Sequence, residues 1–149
     1  MKKPTLSESN FDLWLLIGEV SHELFLARRR ELSPYNIPVR QLQILRAIQA
    51  LGSKATLSEI SNKVEREFHV ISRHTINMEK DGLITRIQNS PKSTLLRLEL
   101  TKKGVEVLKI SRPSTSIDKI FSSLSKEERE QVELVLKRIL IQAKEFTKT

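Results

Sequence analysis

The sequence predicts a mainly α fold of the α+β class, on three observations. Apolar residues recur at helical spacing along most of the chain, the period changes to alternation in one short stretch, and turn-forming residues punctuate the segments between. The 149 residues amount to one domain's worth of chain, and 26 Lys and Arg against 18 Asp and Glu leave a net charge of +8. A chain of this size buries roughly 68–70% of its unfolded surface and folds without crosslinks. Cys is absent, which excludes disulfides, thiolate metal sites and thiol chemistry. The longest apolar runs, such as Leu13 to Ile17, fall far short of a membrane span, and no apolar segment with a cleavage site follows the basic start. A cytoplasmic protein with no membrane contact is expected.

From Phe11 to about Glu31, Leu13, Leu16, Ile17, Val20, Leu24 and Ala27 recur at spacings of three and four, with Ser9 or Asn10 as N-cap. Two prolines, Pro34 and Pro38, make the next segment a loop. A second helix runs from Val39 to about Leu51, with Leu42, Leu45, Ile48 and Leu51 inward, and Gly52 stops it. Thr56 and Glu59 read as a capping box for a short helix, Leu57 to Val64. A fourth helix, from about Phe68 to Asp81, carries Ile71, Thr75 and Met78 inward and ends at Gly82. Leu83 to Gln88 and Leu95 to Leu100 are β-branched and alternating around the turn cluster Asn89 to Ser93, which predicts a hairpin. Helical period resumes after Thr101, with Val105, Leu108 and Ile110 inward, until Arg112 and Pro113 break it and the polar stretch Ser114 to Ser116 follows. Ser125 and Glu128 form a second capping box, opening a long helix striped by Val132, Val135, Leu136, Ile139, Leu140, Ala143 and Phe146.

Three helices followed by a two-stranded hairpin is the order of a winged helix-turn-helix, whose last helix enters the DNA major groove. With Ile71, Thr75 and Met78 inward, the outward residues are His69, Ser72, Arg73 and Asn77, with Val70 and His74 at the margins. Arg can fork onto guanine, Asn onto adenine, and Val can touch a thymine methyl. A net charge of +8 taken alone is as consistent with solvated surface as with nucleic acid; beside this helix order it favours nucleic acid.

The run Arg66-x-x-His69-Val70-Ile71-Ser72-Arg73, then Asn77 to Ile84, then Leu98-Glu99-Leu100-Thr101-Lys102-Lys103-Gly104, preceded by Leu57 to Ser61, resembles the MarR family of transcription regulators. The resemblance covers about residues 38–104 by motif and the whole chain by helix order. It implies a winged helix-turn-helix lobe over 38–104, and a helical dimerisation region from 1–37 and 105–149. It implies a homodimer that binds double-stranded DNA at a palindromic operator, as a repressor. Mapped onto this chain, Arg66, His69, Val70, Ser72, Arg73, His74 and Asn77 are the major-groove residues, and Arg40, Thr56 and Ser58 contact phosphate. The wing carries Arg86, Lys92, Ser93 and Arg97. Many family members have an acidic residue followed two positions later by Arg in the hairpin; Lys92 and Thr94 stand there instead, so which wing cation enters the minor groove is left open.

Two long apolar stripes independently favour a two-fold partner, with Leu13, Leu16, Ile17, Val132, Leu136, Ile139 and Leu140 at the dimer interface. Family effector pockets make Trp14, Arg28 and Arg29 candidates for a small-molecule site. The run Arg28 to Arg30 is also explained by the carbonyl end of its helix, and Trp14 by packing. His69 and His74 are five apart, where helical metal pairs prefer four, and His22 reads as an interface or surface residue, so no metal and no cofactor is expected. Only four Gly, with no phosphate loop and no nucleophile constellation, argue against an enzyme. A winged-helix protein-interaction module and a non-specific architectural DNA binder remain as alternatives.

Overall fold

The computed structural model describes residues 5, 6, 8–52, 55–92, 95–112 and 114–148. Seven α-helices and one two-stranded sheet are present among them. Helix α1 (Asn10–Leu32) starts at Ser9, whose hydroxyl accepts from the Phe11 and Asp12 amides, and it is buried only toward its C-terminal end, through Arg28 and Leu32. A 3-10 turn, Ser33–Tyr35, accommodates Pro34 at its start, and Asn36 in the left-handed region ends it. Helix α2 (Val39–Leu51) buries Gln41, Leu42, Ile44, Leu45, Ala47 and Ile48. Leu51, expected inward, is 39% exposed. Positions spaced by three drift about 60° per step around a helix, so the row that begins at Leu42 has left the inner face by Leu51.

Helix α3 (Leu57–Val64) is capped by the Thr56 hydroxyl, which accepts from the Glu59 amide at 3.2 Å and donates to the Glu59 carboxylate at 3.0 Å. Glu59 therefore meets the Thr56 side chain and not its backbone amide, a variant of the expected box. Glu65, in the left-handed region at φ 55°, closes the turn to α4 (Phe68–Lys80), and the Arg66 amide donates back to the Ser61 carbonyl at 3.2 Å. Strand β1 (Ile84–Gln88) pairs antiparallel with β2 (Leu96–Leu100), Ile84 opposite Leu100 and Gln88 opposite Leu96. The Leu98 amide donates to the Ala55 carbonyl, and Thr56 bridges Arg97, which stitches the start of α3 to β2. Helix α5 (Lys102–Ser111) begins at Thr101, whose hydroxyl accepts from the Gly104 amide. Ile110, expected inward, is 43% exposed, because it lies about 160° around the helix from the buried Leu108.

The core is built where these elements meet. Leu45 of α2, Ile60 of α3, Met78 of α4 and Leu98 of β2 have no exposed surface, and each contributes roughly 1.5–3 kcal/mol by burial. Ile71 and Thr75 bury the same face of α4 as Met78, as the spacing predicts, and the Thr75 hydroxyl is satisfied by the Ser72 carbonyl at 2.8 Å.

The chain divides into two compact units, Met1–Pro113 and Ser114–Thr149. In the second, the polar stretch Ser114 to Ser116 opens a short helix not expected from the sequence, α6 (Thr115–Phe121). Helix α7 (Lys126–Thr147) starts at the predicted box, Ser125 and Glu128 exchanging both bonds, and not one of its residues is buried. Ile117, Phe121 and Leu124 with Val132, Leu136 and Leu140 line an open apolar concavity of about 480 Å³ within this unit. No helix among the described residues is long and apolar enough to cross a membrane.

Candidate nucleic-acid interface

Burying Ile71, Thr75 and Met78 turns the opposite face of α4 outward. His69, Arg73 and Asn77 are exposed on it, and Val70, Ser72 and His74 are half-buried at its edges. Arg73 and Asn77, four apart, lie one above the other on one face. The three-residue turn Glu65 to Glu67 leaves Arg66 exposed just ahead of this helix. His69 faces the Glu67 carboxylate at 3.3 Å. All seven residues predicted for groove recognition are therefore on α4 or the turn that leads into it, and none is lost to the core.

Arg40, Arg66 and His74, from α2, the turn and α4, share a recess of about 100 Å³ floored by Ile44, Val64 and Ile71. Among the described residues no carboxylate pairs with any of the three. The Arg40 guanidinium lies over the Phe25 ring of α1, 5.5 Å from its centroid. Of the other residues expected on phosphate, Ser58 is exposed in the first turn of α3, and Thr56 is half-buried with its hydroxyl engaged by Glu59.

A side-chain bond ties the wing to α4. The Glu79 carboxylate, on the last turn of α4, accepts from the Arg86 backbone amide at 2.7 Å. The Arg86 and Arg97 side chains are half-buried on the strands, Arg97 opposite Ile87 and with its Nε buried and unpartnered. Lys92 alone of the predicted wing cations is exposed, in the turn beyond the paired strands. Ser93 and Thr94, like the helix breaker Pro113, lie outside the described residues.

The effector candidates on α1 are not brought together. Arg28 is 7% exposed, and its guanidinium binds the Glu31 carboxylate at 2.9 Å and the Ser111 carbonyl at the end of α5. Trp14 is 64% exposed, its ring against Phe11. Fourteen residues of helix separate the two by roughly 21 Å, too far for one small ligand within a single chain. Arg29 is exposed. Of the residues expected at a dimer interface, Leu13, Leu16, Val132, Leu136, Ile139 and Leu140 are exposed and Ile17 is half-buried.

Sequence reasoning missed two partners in this region, Phe25 beneath Arg40 and Glu79 beneath the wing. Both contacts cross between elements, and no spacing rule within one element reports them. Among the described residues no group of three or more His, Asp or Glu is placed to hold a metal ion.

No protein-family model and no curated protein matches the sequence. Solved structures match the fold. MepR of Staphylococcus aureus, solved as a DNA complex, superposes with a TM-score of 0.81 at 22% identity, over 93% of this chain and 99% of its own. AbsC of Streptomyces coelicolor, described as a MarR family transcriptional regulator, gives 0.81 at 20% identity, over 95% and 99%. An organohalide-sensing transcriptional regulator bound to 2,4-dichlorophenol gives 0.79 at 23% identity, over 93% and 88%. The chain has the mainly α fold of these proteins, with its small antiparallel wing.

Proposed function

We propose that this chain, on the fold it shares with MarR-family regulators, is a sequence-specific DNA-binding transcription regulator that acts as a homodimer. The observation that carries the reading is the face of α4. Arg73 and Asn77 stand exposed in one row, opposite the residues that anchor the helix, and both have the donor geometry that reads base edges in the major groove. His69, Val70 and Ser72 flank them. Lys92, at the turn of the wing, is the cation set to reach the neighbouring minor groove, and Ser58 faces phosphate. The bare apolar stripes of α1 and α7 support a two-fold partner, with residues 1–37 and 105–149 as the dimerisation region and 38–104 as the DNA-binding lobe. Two-fold symmetry then demands a palindromic site with half-sites about 10 bp, or a multiple, apart.

Repression follows from occupancy, since a dimer seated on its operator excludes polymerase without any further domain. Affinity comes mainly from cations on phosphate, and specificity from α4. A small molecule that changes the separation of the two α4 helices releases the dimer, because both half-sites fit one spacing only. The reading requires no catalytic group or cofactor, and places the protein in the cytoplasm with the DNA.

The test is a binding titration against the DNA upstream of the chain's own gene and a scrambled duplex of equal length, at about 150 mM salt, where non-specific Kd values are on the order of 10⁻⁴ to 10⁻⁶ M. A preference of about 10³ or more for the upstream fragment supports the regulator. Tight binding to both indicates an architectural protein, and no binding to either, nor to duplexes selected from random sequence, indicates a protein-interaction module.

A further inference from the structure

We propose that Arg40, Arg66 and His74 form one anion pocket that seats a single phosphate, and that Phe25 on α1 is the positioning residue for Arg40. The inference rests on the DNA-binding reading and divides the α4 surface into two jobs. Arg73 and Asn77 project freely, whereas His74 is half-buried and lines the recess between α2 and α4 with Arg66 and Arg40. From there the His74 ring meets what enters the recess. The volume, about 100 Å³, corresponds to a few water molecules, suited to a phosphate group and far too small for a nucleotide.

The chemistry of the lining selects the ligand. Two guanidiniums and an imidazole supply donors from three elements, the imidazole being a donor in either charge state. The remaining walls are Gln43, Ile44, Val64, Val70 and Ile71, so no carboxylate lines the recess and its apolar walls lower the local dielectric. Arg66 and His74, first grouped with the base readers, are thereby reassigned to the backbone. Phe25 fixes the geometry. The ring lies beneath the guanidinium carbon, 5.5 Å from its centroid, and restrains the side chain whose N–H groups would meet a phosphate. Because Phe25 belongs to α1, a displacement of that helix would carry the ring away from Arg40.

The test is fluorescence anisotropy of the full chain with a 30-bp duplex of arbitrary sequence, between 50 and 200 mM salt. Each phosphate contact contributes about 0.9 to the slope of log K against log salt. Arg40→Gln is expected to lower the slope by about that amount, while Arg46→Gln, which removes the same charge from a separate concavity between α2 and α5, leaves it near wild type. Phe25→Leu is expected to weaken binding about two- to five-fold with the slope unchanged, the span of an exposed cation–π contact. Phe25→Tyr restores it, and Phe25→Leu adds nothing in the Arg40→Gln background. Equal slopes for Arg40→Gln and Arg46→Gln, or a Phe25→Leu effect that persists without Arg40, overturn the proposal. The His74 ring signals in NMR, titrated with inorganic phosphate, separate this from failure of the DNA reading. If the chain ignores duplex DNA but phosphate shifts His74, the pocket stands as a site for a free phosphate; no shift and no duplex binding overturns both.

Discussion

Gly104→Ala tests the packing that sets the wing against the helical lobe. In an open helix this substitution stabilises by about 0.8–1 kcal/mol, since Gly is the poorer helix former. Here a Cβ on residue 104 would stand 2.2 Å from the Leu83 carbonyl oxygen and 3.3 Å from its carbon, where real Cβ atoms essentially never come within 3.0 Å. The obstacle is backbone and cannot rotate away. Three bonds hold α5 to that turn: the Thr101 amide to the Leu83 carbonyl at 3.1 Å, the Thr101 hydroxyl to the Gly82 carbonyl at 2.6 Å, and Lys103 Nζ to the Asp81 carbonyl at 2.7 Å. Separation enough to admit the methyl stretches all three, each worth about 1 kcal/mol. Overpacking of this kind costs typically 1–3 kcal/mol, so the expected net loss is about 2 kcal/mol, a fall in Tm of roughly 4–8 °C for a chain of this length. The assay is thermal unfolding by circular dichroism at one fixed protomer concentration, because association shifts Tm by mass action. Glu106→Ala, exposed on the same helix, is the control and stays within about 0.5 kcal/mol. A Tm for Gly104→Ala at or above wild type refutes the argument.

Arg28→Ala leaves the buried Ser111 carbonyl without its charged donor and is expected to cost about 1–3 kcal/mol in urea unfolding; a loss under 0.5 kcal/mol would mean the cross-link to α5 contributes nothing. Arg73→Ala is expected to cost on the order of 1–3 kcal/mol in operator binding and to relax preference at one base pair, and unchanged affinity removes Arg73 from base reading. Leu136→Glu, a charge in the exposed α7 stripe, is expected to convert dimer to monomer in sedimentation, and a dimer that survives it places the interface elsewhere. The Ser125 amide and hydroxyl hold the Glu128 carboxyl below its ordinary 4.5, and Lys137, with Arg129, does the same for Glu133. A pKa depressed by folding stabilises above the unfolded value and is lost as pH falls through the folded one. Helicity is therefore expected to fall below pH 4.5, less steeply in the Glu128→Gln/Glu133→Gln variant, and identical acid profiles would contradict the assignment.

Where one element carries the signal, the sequence discloses the structure. Ile71, Thr75 and Met78 declare the inner face of α4 by spacing alone, and the Ser125 box marks the first turn of α7. Helix α6 escapes because seven residues make two turns, too few for a period to stand out beside a serine-rich start. The drift of a three-residue repeat misplaces Leu51 for a related reason. Contacts between elements leave no periodic trace. Phe25 and Arg40 are neighbours only because α1 crosses α2, and nothing in three successive arginines tells which one α5 will cover. The candidate site divides along the same line: its residue types were legible, but the gathering of Arg40, Arg66 and His74 around one recess depends on how α2, the turn and α4 converge.

A helix of 22 residues without one buried side chain also bears on the life of the molecule as a single copy. On the proposed homodimer, a lone copy displays Val132, Leu136, Ile139 and Leu140 until a second copy covers them. The uncovered segment would then be the part most open to proteases, whose access follows the population of the open form, and the supply of such a dimer would respond more steeply than linearly to its rate of synthesis.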